Sequence, residues 1–426
     1  MDDLPNDIYL DLTKFLSYKS INSLYRTNKK LKLICDTSIL PNYLFLNRRK
    51  SYIDDNHTQS VYHKFIRFNT IDNNWNRVLY SSNNLATTPT SIPVLCVHNH
   101  YVLLGSRSCL YIWNKLSNPL KYIKFTISNN LNANFDITGI VVISTINDVM
   151  TVVVSHANGL VHKLNLNLSS SKCLETALYD VGARSLLTKV RSVRCLIGNP
   201  HYCISAKDAG FLSLFKPQSP WEDPTTVNVE TNRLWSLDLN YVESKIYTAN
   251  NYSRNLQSSI QSYKLSESSI INVDSLNTPQ EVSSFAVING TQTNGILSSP
   301  SIVIGGFYDS TVRIYDTRVG KDDMICFHDN LDPQPVYSLD VGGGYDSQII
   351  VGSALYSRLR IIDARLPINT PSNHIFAAQA SEPSSPVYQV KVDHKHLYLA
   401  TGTRLYSFNF DHNRYDRRSS FPCVTS

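Results

Sequence analysis

Seven short runs of alternating apolar residues, each ending on an aromatic or aliphatic side chain, recur along this chain at nearly constant spacing. They close on Trp113, Leu164, Phe215, Tyr263, Tyr315, Ile362 and Phe408, separated by 51, 51, 48, 52, 47 and 46 residues. Unrelated strand pairs would not keep such a period, whereas a repeated supersecondary unit would. The clearest copy is residues 301–318, SIVIGGFYDSTVRIYDTR. Ile302, Val303 and Ile304 form a short β-branched run; Gly305, Gly306 and Asp309 supply turn chemistry; Val312, Ile314 and Tyr315 resume the apolar-polar alternation of a second strand.

Upstream of each pair lies a third apolar run, beginning near Val94, Thr138, Val193, Leu234, Val282, Val336 and Val387. Three strands with room for a fourth make a four-stranded blade, and seven blades close into a ring that leaves only short sheet edges. The expected fold is therefore mainly β, a seven-bladed propeller. The order small residues, turn Asp, alternating strand, aromatic, Asp in residues 301–318 resembles the second half of a WD repeat, with Asp309 as the turn Asp and Tyr315 and Asp316 standing for the Trp-Asp pair. Kelch propellers have a similar period, but a Gly-Gly pair falls in the right place only at Gly305 and Gly306, which favours the WD class. Residues 77–81 are expected to supply the outer strand that closes the last blade. The Ser-, Asn- and Thr-rich segments 250–259, 266–284 and 366–386 read as surface loops.

The first fifty residues follow a different period. Ile8, Leu12, Phe15 and Leu16, then Ile21, Leu24, Leu31 and Ile34, recur at steps of three and four, the stripe of amphipathic helices. Asp7 near the start of the first and Lys29, Lys30 and Lys32 near the end of the second follow the charge order that a helix dipole favours. Helices this small bury little by themselves, so the stripe calls for a cover. A helical hairpin capping the next domain would answer that need; a DNA-reading helix-turn-helix fits less well, because the acidic start offers little for phosphates.

The stretch LPNDIYLDLTKFLSYKSINSLYRTNKKLKLI resembles an F-box, matching that pattern without a gap from Leu4 to Leu31. Further on, Ile71 to Arg77, IDNNWNR, resembles the Asn-Trp signature that F-box/WD-repeat proteins carry before their propeller. The combined resemblance implies a small all-α F-box domain over residues 1–47, a linker over 48–70 and a WD-repeat-like propeller over 71–426. It implies that Leu4, Pro5, Ile8, Leu12, Leu16, Ile21 and Leu24 anchor a Skp-type adaptor, with cullin and RING subunit reached through it. The propeller would then hold a protein substrate for ubiquitination. A propeller scaffold using the same helices for another partner is the alternative.

In relatives that read phosphorylated segments, basic residues stand second on the innermost strand and just before the turn Asp. Those positions here give Arg107, Arg194, Lys207 and Arg404, and elsewhere Trp235, Tyr308, Tyr337 and Tyr388. Arg and Lys pair with phosphate while flat rings add apolar contact at low entropy cost, so such a face suits an acidic or phosphorylated peptide. Asp208, Asp309 and Asp316 are expected to be structural, accepting turn hydrogen bonds.

Composition narrows the rest. Hydrophobic residues make up 42% and charged residues 17%, which is globular, and no stretch approaches the roughly 20 apolar residues of a membrane span. A net charge of +6 with scattered Lys and Arg argues against nucleic acid. No H-E-x-x-H, G-x-S-x-G or G-x-x-x-x-G-K-[ST] is present, so neither enzyme chemistry nor a cofactor is expected. Cys96, His98 and His100 alternate as on one strand face, and His394 and His396 flank Asp393, but neither set completes a tetrahedral metal site. The eight cysteines, with no C-x-x-C pair, read as buried free thiols. The acidic opening MDDLPND lacks the basic start of a secretory leader, which points to the cytoplasm or nucleus.

Overall fold

A computed structural model describes residues 61–411 apart from several connecting stretches, together with Ile21, Ser23, Tyr25, Arg26 and Lys32. The described strands form seven four-stranded antiparallel sheets, each taking its strands in sequence order from inside outward except the last. In that last blade the strands Gln389–Val392, His396–Ala400 and Arg404–Asn409 are completed by Ser81–Thr87 from the other end of the region. The fold is a seven-bladed β-propeller, as the period implied. All seven run ends, from Trp113 to Phe408, lie on the third strand of a blade.

Four features differ from expectation. The closing strand is Ser81–Thr87, with a register shift between Asn84 and Ala86, and not residues 77–81. Segments 266–284 and 366–386 each contain a strand, Ile270–Ser275 and Asn373–Phe376, which are the outer strands of their blades. Both are short edge strands with polar residues, Asn272, Asp274, Asn373 and His374, among the apolar ones, so they read as loops. Of the five cysteines described, all are free thiols but only Cys203 is buried, while Cys173 is exposed on the outer strand Lys172–Asp180.

Each of the seven junctions between neighbouring blades is filled by its own apolar cluster. The joint between blades one and two, for example, packs Leu103, Leu110 and Phe125 against Ile137, Met150 and Val152. Among the described residues no single central core joins these clusters; stability is distributed around the ring, so the closing joint matters as much as any other. That joint also carries an ion pair, Lys115 Nζ to Asp393 Oδ2 at 2.9 Å. Burial alone would raise the Asp393 carboxyl, but His396 and Lys115 hold it well below the usual carboxylate range.

The helix Val61–Asn76 docks on one end of the ring; residues 61–70, assigned to a linker on sequence, are part of it. Trp75 is fully buried, stacked on Phe410 with centroids 3.5 Å apart, and its Nε1 donates to the His394 carbonyl at 2.8 Å. Asn74 Nδ2 donates to the Phe410 carbonyl at 2.7 Å, and Arg67 pairs with Asp411. The approach depends on two glycines. A Cβ on Gly343 or Gly344 would meet Trp75 at 3.1 or 2.7 Å, and Gly343 takes φ +71°. Val78, at φ 52°, turns the chain out of the helix toward the closing strand. Of the proposed adaptor anchors, Ile21 is helical and fully buried. Leu4, Pro5, Ile8, Leu12, Leu16 and Leu24 lie outside the described residues.

Candidate protein-binding rim

The innermost strands start at the end of the ring opposite the docked helix and descend along a channel of about 1220 Å³. In blades two to six the pairing register shifts immediately after the first residue of that strand, between Ile137 and Gly139, Val193 and Cys195, Leu234 and Ser236, Ser284 and Ala286, and Val336 and Ser338. The second residue is thus a bulge, unpaired in the ladder and re-aimed. Blade seven repeats this, since Tyr388 donates its N–H to the Ala400 carbonyl while Gln389 is the register partner of Ala400. Blade one has no bulge, and Leu95 there is paired and buried.

The bulged positions are Thr138, Arg194, Trp235, Phe285, Tyr337 and Tyr388. Four consecutive blades therefore set aromatic rings at the channel mouth, and the rings touch. Trp235 and Phe285 have centroids 4.8 Å apart, Phe285 and Tyr337 5.8 Å, and Tyr337 and Tyr388 5.6 Å. Most contacts are edge-to-face, the geometry that ring quadrupoles favour. Burial, with Tyr337 adding to it, raises the Tyr388 phenol above its ordinary value. The Arg233 guanidinium lies over the Trp235 ring at 3.9 Å.

Tyr308 joins this arc from the next turn outward, 5.7 Å from Phe285, with 61% of its surface exposed. Its turn is held from several sides. Asp309 Oδ1 accepts from the Thr311 N–H at 3.1 Å and hydroxyl at 2.6 Å, and Oδ2 pairs with Arg313 at 2.6 Å. Ser310 sits at φ 67°, and its carbonyl accepts from Arg360 Nη1 at 3.0 Å. Arg360 is fully buried, beside the equally buried Asp332, which also takes the Ser353 hydroxyl. Asp309 and Asp316 thus fill the structural roles expected of them, the latter accepting from the Arg318 backbone at 3.0 Å. Asp208 lies outside the described residues.

Of the sequence-derived rim residues, Trp235, Tyr308, Tyr337 and Tyr388 come together. Arg107, at φ 51° in a tight turn, and Arg404 belong to the first and seventh blades at the same end. The backbones of Arg194 and Lys207 lie at the start and end of paired strands, Arg194 in a bulge; their side chains are outside the described residues. Phe285 is not legible as a rim residue in the sequence, because Val282 reads as the start of the run while the strand is Ser284–Asn289.

Below the rim the channel holds charges. Lys391 Nζ lies 3.7 Å from Asp340 Oδ1, and that carboxylate raises the lysine. Asp340 Oδ2 accepts the Val392 N–H at 2.7 Å and Asp238 accepts that of Asn289, each tying one blade to the next. Burial pushes Asp238 up to about 7. Cys96 lines the channel midway along its strand, while His98 and His100 lie at the far mouth, His100 already in the turn beyond the strand. Among the described residues no three His, Cys, Asp or Glu side chains gather into a metal-holding group.

A closed ring of seven four-stranded blades with WD-type turns and an aromatic channel mouth has the character of a protein-binding β-propeller. No family model matches the chain. Over 112 residues it is 28% identical to F-box/WD repeat-containing protein 4 of Mus musculus, a match covering 26% of each chain. The match thus spans about a quarter of that relative's length.

Proposed function

We propose that this chain is the substrate-recognition subunit of a Skp-cullin-F-box ubiquitin ligase. In this reading the N-terminal helices dock the Skp-type adaptor and the rim holds the client. The cullin and RING subunit bring the conjugating enzyme that performs transfer, and this chain positions without catalysing. The observation that carries the reading is the division of the ring into two ends. The helix leading in from the F-box-like segment is fixed to one end by Trp75, and the aromatic arc faces away at the other. A receptor needs that separation, since adaptor and client must not compete. The likeness to an F-box/WD-repeat protein adds support.

The test is capture of the adaptor and cullin from cells under proteasome inhibition. Leu4→Ala combined with Pro5→Ala should abolish adaptor capture and leave the propeller folded, as each buried interface anchor contributes on the order of 1–3 kcal/mol. Undiminished capture would remove the assignment in favour of a scaffold outside such ligases.

A further inference from the structure

The rim also carries information about what it takes. Four consecutive blades present Trp235, Phe285, Tyr337 and Tyr388 from the same bulged position, and Tyr308 extends the arc outward. A bulge is a departure from regular pairing that aims one side chain out of the ladder; here the side chains so aimed are rings. They are only partly covered by one another, and the turn under Tyr308 is fixed by Asp309, Arg313 and Arg360. Rings held still and left open lose little entropy on contact, the property that makes aromatic anchors effective.

Among the described residues, the carboxylates at this end sit beside basic or hydroxyl partners, Asp136 interacting with Arg107 and Asp309 with Arg313 and Thr311. Arg233 covers one face of Trp235, and Arg107 and Arg404 stand on neighbouring blades. A cationic ligand would meet these guanidinium groups, whereas a carboxylate beside an apolar anchor would be welcomed by them.

We propose that the rim binds an acidic peptide segment of the client by inserting one large apolar or aromatic side chain against the Phe285–Tyr337 rings, with a neighbouring carboxylate directed to Arg233. Phosphate is not required. The inference rests on the reading of this end of the ring as the client face, and of the two peptide classes that the sequence suggested, acidic or phosphorylated, it selects the acidic one with an apolar anchor, because the aromatic arc is the larger part of the surface.

The test uses the full chain and short fluorescein-labelled peptides with a central Trp, Leu or Ala, flanked either by glutamates or by lysines, and a phosphoserine version of the glutamate-flanked Ala peptide. Binding is read by fluorescence anisotropy. The glutamate-flanked Trp and Leu peptides should bind, and the Ala, lysine-flanked and phosphoserine-Ala peptides should bind at least about tenfold more weakly. Tyr308→Ala, at an exposed position, and Tyr337→Ala should each weaken the Trp peptide by about tenfold, and Arg233→Gln should narrow the gap between glutamate and lysine flanks. Preference for phosphoserine regardless of the central residue, equal binding of all peptides, or no binding at all would overturn the proposal. Adaptor capture is independent: its survival when peptide binding fails sinks this inference alone, and its loss while peptide binding persists sinks the ligase reading alone.

Discussion

Removal of the Trp75 side chain tests how the helix Val61–Asn76 is joined to the ring. Trp75 is fully buried, stacks on Phe410 with an interplanar angle of 8°, and spends its only polar hydrogen on the His394 carbonyl. Trp75→Ala removes all three contributions and leaves a cavity that the ring cannot fill, because the Gly343–Gly344 backbone opposite has no side chains to move in. Truncations of this kind cost about 3–5 kcal/mol, a large part of the roughly 5–15 kcal/mol that holds a typical domain folded. Trp75→Phe keeps a ring against Phe410 and loses the donor, so it should cost about 1 kcal/mol. The two substitutions therefore separate stacking from hydrogen bonding. The assay is urea unfolding followed by near-ultraviolet circular dichroism, with limited proteolysis across the helix as a second probe. A double-mutant cycle with Phe410→Leu should return a coupling of about 0.5–1.5 kcal/mol. A loss below about 1 kcal/mol for Trp75→Ala, or zero coupling to Phe410, would refute the reasoning.

Other expectations follow from the same geometry. Asp332→Ala removes the carboxylate paired with the buried Arg360 and leaves it the weaker attraction of Asp329; it should destabilise by about 3 kcal/mol, measured by thermal melting, and Asp332→Asn should cost less. Asp238 is raised to about 7 when folded against an ordinary value near ~4, so the folded chain holds the proton more tightly and this group's contribution to stability falls as pH rises from about 4 to 7. Asp238→Asn keeps an oxygen for the Asn289 N–H and should flatten that slope in denaturation curves taken across the range; an unchanged slope would assign it elsewhere. Asp393 acts in the opposite sense: held low by His396 and Lys115, it stabilises above its unfolded value and loses that effect on acidification. Lys115→Met should therefore weaken the ring more at neutral pH than in acid.

The parts of this fold that could be read from sequence are those buried on both faces. Runs such as VVVSH and IVIGGF lie between two neighbouring blades, must be apolar on both sides, and so announce themselves. The outer strands Thr225–Asn228 and Asn373–Phe376 are four-residue edge strands that carry polar residues such as Thr226 and His374 among the apolar ones, so only spare length points to them in the sequence. The closing strand Ser81–Thr87, SSNNLAT, is the extreme case, found a few residues beyond its expected place. The rim was legible where an aromatic stood second on an obvious run, at Trp235 and Tyr337. Phe285 escaped because Val282 looked like the first strand residue, and only the register shift between Ser284 and Ala286 fixes the true start. Long-range contacts such as Trp75 on Phe410 have no local signature at all, because ring closure brings together residues from the two ends of the region.

The central claim is that one end of this chain meets a ligase adaptor while the other meets a client. It is tested most directly by parallel affinity purification of the full chain and of a chain lacking residues 1–47, both under proteasome inhibition and quantified by mass spectrometry. The account predicts that a Skp-type adaptor and a cullin accompany only the full chain, and that a further set of proteins accompanies both and is lost from both on Tyr337→Ala. Equal recovery of adaptor and cullin with the truncated chain, or their absence from the full one, would contradict it.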